Sequence, residues 1–253
     1  MNRTGLAVAL AIAVVVGGVF ALYPQWDLNI AALFYDPATH RFRAWGTIWM
    51  DHARDAGSLL ITLLAAPAFL AILGKLVMPR RRMLIPGRAV VFLIITLALG
   101  PGLLANKILK DHWARMRPED IMQLGGTRAF TPWWDPRGPC QENCSFIAGE
   151  PSGAFWTLAP AALVPPQWRP LAYGGALLFG AGMGALRMAG GAHFFTDVVF
   201  AGIFMFLLIW IFHGLIYRWR LTRLSDETIE RPLQRSGEML AALLRRLTGR
   251  KSL

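Results

Sequence analysis

The sequence predicts an all-α protein: a polytopic membrane bundle of six transmembrane helices with both termini cytoplasmic. Three observations carry that prediction. Of 253 residues, 55% are hydrophobic and only 16% charged, with a mean hydropathy of +0.43, a balance unlike that of a water-soluble domain. The apolar residues gather in runs that reach the roughly 18–20 positions needed to cross the hydrocarbon of a bilayer. The ten Trp and sixteen Pro fit the same class, because indoles suit membrane interfaces and prolines suit helix ends.

The first span runs from Gly5 to Leu22 behind Arg3, and no small-residue cleavage site follows, so it reads as an uncleaved helix. Tyr23 to Ala56 is a mixed loop. Within it Trp26, Leu28, Ile30, Leu33 and Phe34 alternate with polar residues after Asp27, as in a short helix lying in the interface. The second span covers Gly57 to Met78 and ends in Arg80, Arg81 and Arg82. The third covers Arg88 to Asn106, with a kink expected at Pro101-Gly102. A polar loop, 107–145, follows. The fourth span begins at Gly149 and stops at Pro165-Pro166, the fifth runs from Leu171 to Met188 and breaks at Gly190-Gly191, and the sixth covers Phe194 to Tyr217. Residues 1–217 are thus one membrane domain, to which the loop contributes, and 218–253 form a basic amphipathic tail. Arg218, Arg220 and Arg223 open that tail. Leu240, Leu243, Leu244 and Leu247 make one face of it, bordered by Arg245, Arg246, Arg250 and Lys251. Such a segment suits an anionic lipid surface, with a coiled-coil face as the alternative.

The net charge of +11 does not point to nucleic acid. The basic residues sit in short loops and at the C-terminus, where they set topology. Arg3, the Arg80–Arg88 loop, Arg169 and the tail share one side, which is cytoplasmic by the positive-inside rule. Cys140 and Cys144 share one polar loop on the other side. They are open to a small disulfide or to two unpaired thiols; too few further ligands lie nearby for a metal.

On that external side three separate stretches converge. His193 and Asp197 are four apart at the start of the sixth span, one helical turn from each other. A carboxylate so placed can bond one imidazole nitrogen, fix the tautomer and leave the other nitrogen basic. Arg187 precedes them with a planar fork suited to phosphate oxygens. Free backbone N–H groups at that first turn favour an anion; Lys110, Arg117 and Pro118 lie just past the third span, and the N-terminus of the fourth, C-S-F-I-A-G-E, lies between the two stretches in sequence. Imidazole, cations and helix start together describe phosphoryl transfer with histidine as nucleophile.

These stretches resemble the signatures of the type 2 phosphatidic acid phosphatase superfamily of integral membrane lipid phosphatases. Lys110, Arg117 and Pro118 meet its K-x6-R-P. Arg187, His193 and Asp197 meet its S-R-x5-H-x3-D, with Leu186 where serine is usual. The middle signature, a P-S-G-H-like turn, departs. Aligning Ser145-Phe146 with the usual Ser-Phe lead puts Ala148 and Glu150 on either side of Gly149; a second register uses Pro151-Ser152-Gly153 and then has Ala154. Neither holds a histidine, which in the family protonates the leaving oxygen. The resemblance therefore implies Glu150 in that role, with His112 as a fallback.

The resemblance further implies phosphate held by Lys110, Arg117, Arg187 and the Gly149 N–H, attack by His193 and support of the imidazolium by Asp197. No metal or cofactor is implied, since cationic side chains take that part. The substrate is expected to be a phosphorylated lipid met at the periplasmic face of a bacterial inner membrane. The external loop, the F-Y-D-P stretch at Phe34–Pro37 and the wording G-A-H-F-F-T-D look most like bacterial lipid A phosphatases. Phosphatases of undecaprenyl diphosphate or phosphatidylglycerol phosphate, a lipid phosphotransferase, and a non-catalytic head-group binder share enough of these residues to stay open.

Overall fold

In hydrocarbon every backbone N–H and C=O must be satisfied within its own segment, so the apolar runs fold as helices. The computed structural model describes residues 2–219 and 224–247; Arg220, Arg223, Arg250 and Lys251 of the basic tail lie outside the described residues. Helix α1 (Arg3–Leu22) is capped by the Asn2 side chain, which accepts the Gly5 N–H at 2.9 Å. Helix α2 (Gln25–Ala32) follows. It was expected to lie in the interface, yet its Asp27 is buried. A short hairpin, absent from the sequence reading, pairs β1 (Tyr35–Asp36) antiparallel with β2 (Arg41–Phe42).

Helix α3 (Ile48–Val77) starts at Ile48 rather than Gly57. Its first turns, I-W-M-D-H-A-R-D-A, contain no breaker, and their charges had read as loop. The third span is one continuous helical stretch, Gly87–His112. It begins as α4 (Gly87–Leu97), loosens into wider i→i+5 turns over Ala98–Leu109, and closes with the single turn α5 (Lys110–His112). Pro101 lacks an N–H and cannot continue the normal ladder, so the expected sharp kink becomes a widened segment. The Asn106 side chain donates to the Pro101 carbonyl at 2.8 Å there.

The fourth expected span is two short helices, α6 (Gly149–Trp156) and α7 (Leu158–Leu163), on either side of Thr157. Helix α8 (Arg169–Ala189) carries five glycines. Helix α9 (Phe195–His213) extends by wider turns to Arg218, and α10 (Asp226–Leu247) closes the described chain. Four of the described helical segments are long and apolar enough to cross a membrane: Arg3–Leu22, Ile48–Val77, Gly87–His112 and Phe195–Arg218.

The chain divides into two units, Met1–Ile61 with Thr96–Ile211, and Thr62–Ile95 with Phe212–Leu253. In the first, α6 packs on α8 and on the widened segment. The fully buried Trp156 donates to Thr96 Oγ1 at 3.0 Å. Ala31, Tyr35, Phe42, Met116, Ile121, Leu124 and Phe194 form a small apolar core that ties the hairpin and the 107–145 loop to the start of α9. In the second unit Phe92 meets His213 and Tyr217 edge-on. There α10 lies on the end of α3: Gly237 sits against the Lys75 and Leu76 carbonyls, and Lys75 Nζ reaches Glu230 at 3.4 Å. Met239, Leu243 and Leu247 of α10 stay exposed.

Candidate active site

Between α8 and α9 the backbone turns through Gly190 and Gly191. Gly191 has φ +77°, and a Cβ on it would come within 2.4 Å of the Phe42 ring, so both conformation and space demand glycine. The turn delivers His193 into the interior, 2% exposed. Asp197 sits in the first turn of α9, where its Oδ2 accepts the Phe194 N–H at 2.8 Å, half of a capping box.

The direct imidazole–carboxylate hydrogen bond expected from the four-residue spacing is not made. His193 Nδ1 lies 2.8 Å from the Ser145 carbonyl and 3.9 Å from Asp197 Oδ2. A carbonyl only accepts, so Nδ1 carries the proton and Nε2 keeps its lone pair. Asp197 works one step removed, because the Ser145 hydroxyl donates to its Oδ2. The foreseen tautomer is the same; a backbone oxygen holds it, since the carboxylate already serves Arg115, Ser145 and Phe194.

Arg115, which the motif reading passed over, is fully buried behind this turn. Its Nη1 donates to Asp197 and Thr196 Oγ1, its Nη2 to Asp27 at 2.8 Å, and its Nε to the Thr131 carbonyl at 3.0 Å. Asp27 also accepts the Thr196 N–H at 3.1 Å. An acid set among Trp26, Leu28 and Ile30 was the available signal that α2 faces inward.

The predicted cations come in from three places. Gly149, at the start of α6, leaves room for Lys110: a Cβ there would stand 2.8 Å from Lys110 Nζ and 2.5 Å from Asn106 Oδ1. Arg117 is fixed by the Asn143 carbonyl, which accepts from Nε at 3.2 Å and Nη2 at 3.0 Å. Arg187, in the last turn of α8, has a buried Nε with no hydrogen-bond partner among the described residues. His112 is exposed, with Nδ1 turned back to the Ile108 carbonyl at 2.9 Å.

Cys140 and Cys144 form a disulfide, which closes the alternative of free thiols. The ring rests on the K-x6-R-P segment: the Cys140 N–H donates to the Ala114 carbonyl, the Cys144 N–H to that of Lys110 and the Ser145 N–H to that of Arg115. One small loop therefore supplies both the carbonyl that holds Arg117 and the carbonyl that holds His193. Beside Arg117 opens a polar cavity of about 470 Å³, lined in part by Glu119, Arg128 and Asn143.

Glu150 is not a free acid. Its carboxylate is gripped by Arg54 of α3, with Nη2 2.6 Å from Oε1, and Arg187 Nε stands 3.6 Å from Oε2. Arg54 was missed because its stretch read as loop; the charged D-H-A-R-D at the mouth of an apolar run was the signal.

The electrostatics follow from burial and from these cations. Burial, and then the charges of Arg187, Arg117 and Lys110, push the His193 pKa well below its usual value; the Ser145 carbonyl opposes them. At neutral pH the ring is an uncharged base with one free lone pair. Among the described residues no three His, Cys, Asp or Glu side chains gather as a metal site would require.

A buried neutral imidazole, and cations set beside Gly149 and Glu150, lie in a chain with four helical segments long and apolar enough to cross a membrane among the described residues. Residues 89–222 match the family model described as PAP2 superfamily, and the chain is a multi-pass member of that superfamily. It is 32% identical over 200 residues, 79% of this chain and 90% of the other, to a lipid A 4'-phosphatase of Francisella tularensis subsp. novicida. It is 36% identical over 104 residues to a lipid A 4'-phosphatase of Rhizobium leguminosarum, covering 41% of this chain and 45% of that one. The crystal structure described as the first transmembrane PAP2 type phosphatidylglycerolphosphate phosphatase, from Bacillus subtilis, aligns over 87% of this chain and 94% of its own, at TM-score 0.49 and 19% identity.

Proposed function

We propose that this protein is a membrane lipid phosphatase that removes phosphate from a lipid head group through a phosphohistidine, and that its substrate is lipid A. The observation that carries the chemistry is the state of His193: buried, with Nδ1 protonated toward the Ser145 carbonyl, and its pKa lowered by burial and then by the charges of Arg187, Arg117 and Lys110. Nε2 is then the nucleophile. Lys110, Arg117, Arg187 and the Gly149 N–H hold the phosphoryl oxygens, Asp197 supports the developing imidazolium through Ser145, and Glu150 supplies the leaving-group proton. Water then hydrolyses the phosphohistidine. The route needs no metal, because the cations neutralise the phosphoryl charge. The relatives named as lipid A 4'-phosphatases support the substrate, and the polar cavity beside Arg117 leaves room for a large head group.

In this reading six segments cross a bacterial inner membrane, with α6–α7 and α8 adding two crossings to the four long apolar ones. The termini are cytoplasmic, the site faces the periplasm, residues 1–217 form the membrane domain, and the 218–253 tail rests on anionic lipid. A second reading of Glu150 is favoured by its grip on Arg54: an ion-pair anchor that never gives up a proton.

The test is phosphate release by purified protein from lipid A, phosphatidic acid, phosphatidylglycerol phosphate and undecaprenyl diphosphate, with and without chelator. Release from lipid A that survives chelator and vanishes in His193→Ala is the expected result. Equal release by His193→Ala ends the phosphohistidine route, and preference for another lipid reassigns the substrate. Labelling of single cysteines at Arg128 and Arg80 in intact spheroplasts checks the orientation.

A further inference from the structure

The matched motifs leave one gap, the missing histidine beside Gly149, and the structure brings an unassigned arginine to that spot. Arg54 closes on Glu150 with two prongs: Nε lies 3.2 Å and 3.1 Å from the two carboxylate oxygens, and Nη2 lies 2.6 Å from Oε1. Its Nη1 is steadied by Asp51 at 3.3 Å. On the other side of the carboxylate stands Arg187, whose buried Nε makes no hydrogen bond among the described residues. The charged groups facing Glu150 are thus Arg54, backed by Asp51, from α3; Lys110 from the end of the third stretch; and Arg187 from α8. A carboxylate flanked by two guanidinium forks occupies the kind of position a phosphate dianion would take. It is also a poor proton donor there, since paired cations favour its ionised form.

We propose that Arg54 is a further residue of the reaction, shared between Glu150 and substrate: its fork closes on Glu150 at rest and passes to the phosphoryl oxygens when a phosphomonoester binds. The proposal rests on the phosphatase reading of the site. A phosphate dianion carries more charge than a carboxylate and competes for the same forks. As Arg54 leaves, Glu150 loses its partner beside a new negative group and takes a proton from solvent. In the first step the Nε2–P bond of His193 forms, the P–O bond to the leaving group breaks, and the Glu150 proton goes to the departing oxygen. In the second step a water oxygen bonds to phosphorus, the Nε2–P bond breaks, and the water proton returns to Glu150. Water is the only co-reactant. The apparent conflict between an ion-paired glutamate and a proton donor is resolved, because the two states belong to different stages.

The experiment uses the full chain in detergent, with two phosphomonoesters: p-nitrophenyl phosphate, whose leaving group departs without a proton, and short-chain phosphatidic acid, whose alkoxide needs one. Inorganic phosphate serves as competitor. Arg54→Ala is expected to weaken inhibition by inorganic phosphate about 10- to 100-fold, the size of a lost charged hydrogen-bonded contact. It also shifts the basic limb of kcat/KM to higher pH, because Glu150 is no longer held ionised. Arg54→Lys lies between, and it stands in should the alanine variant fail to fold. Glu150→Gln slows formation of the phosphohistidine, read as the pre-steady-state burst of leaving group, by about 100-fold or more with the alkyl ester and far less with the nitrophenyl ester, while both lose steady-state turnover because water then lacks its base. A merely structural pair would lower the unfolding midpoint and leave phosphate inhibition and the pH limb where they are; that result overturns the proposal. So does a Glu150→Gln defect in that burst equal on both esters. If the wild-type chain hydrolyses neither of these nor lipid A, the phosphatase reading itself falls. Calorimetric binding of inorganic phosphate, weakened or unchanged in Arg54→Ala, then still decides whether Arg54 binds phosphate.

Discussion

Replacing Arg115 by methionine tests what holds the His193 turn in place. The guanidinium is fully buried and is shared by two buried carboxylates, Asp27 and Asp197, with Thr196 Oγ1 and the Thr131 carbonyl accepting two more of its hydrogens. It also stacks 4.2 Å from the Phe194 ring centre. Breaking one buried pair by removing a partner costs about 3–5 kcal/mol, because the remaining charge is stranded. One cation serves two carboxylates here, so the loss belongs at the upper end, about 4–5 kcal/mol. The methionine keeps much of the stacking volume, which confines the loss to charge. Arg115→Lys restores the charge but not the fork, and recovers less than half. Asp27→Asn added to Arg115→Met removes one stranded charge and recovers about 1–2 kcal/mol. The assay is equilibrium unfolding in detergent, followed by tryptophan fluorescence. A loss below about 1 kcal/mol, the scale of an exposed ion pair, refutes the argument.

Three further outcomes are expected. Because burial and then Arg187, Arg117 and Lys110 hold the His193 pKa below 6.5, the acid limb of kcat/KM lies below that pH. Lys110→Gln removes a repelling charge, makes protonation easier and moves the limb upward; a pH–rate profile that does not move counts against the assignment. Gly149→Ala puts a methyl where Lys110 Nζ and Asn106 Oδ1 now stand, so kcat/KM falls about 10- to 100-fold through misplacement while circular dichroism is unchanged. Converting both Cys140 and Cys144 to serine opens a small ring, costing about 2 kcal/mol in the chain-entropy account. It also loosens the Asn143 carbonyl from Arg117, so KM rises more than kcat falls.

The parts of this protein that were legible in the sequence are those written in short range. Apolar run length placed α1, α9 and most of α3 and α4, and spacing alone singled out Lys110, Arg117, Arg187, His193 and Asp197. What escaped is written in long range. Arg54 meets a partner 96 residues away and Arg115 meets partners 88 and 82 residues away, and no periodicity encodes such pairs. Arg54 escaped because its stretch read as loop, which left its charge without a role. The hairpin escaped because two-residue strands have no alternation to read, and α6–α7 merged into one span because Thr157 is not a recognisable breaker.

The K-x6-R-P spacing also acquires a physical sense. Lys110 and Arg117 belong to the candidate site, but Arg115, inside the unspecified six, goes the other way and bonds Asp197 of the last motif. Ser145 adds a second tie, its N–H on the Arg115 carbonyl, its own carbonyl on His193 and its hydroxyl on Asp197. The two outer motifs are therefore joined through buried groups rather than through substrate. If that joint sets their register, Arg115 and Ser145 are coupled although neither touches phosphate. A double-mutant cycle of Arg115→Met and Ser145→Ala then shows an interaction energy of about 0.5–3 kcal/mol, as residues in one network do. Plain additivity would mean that the motifs are held in register by something else.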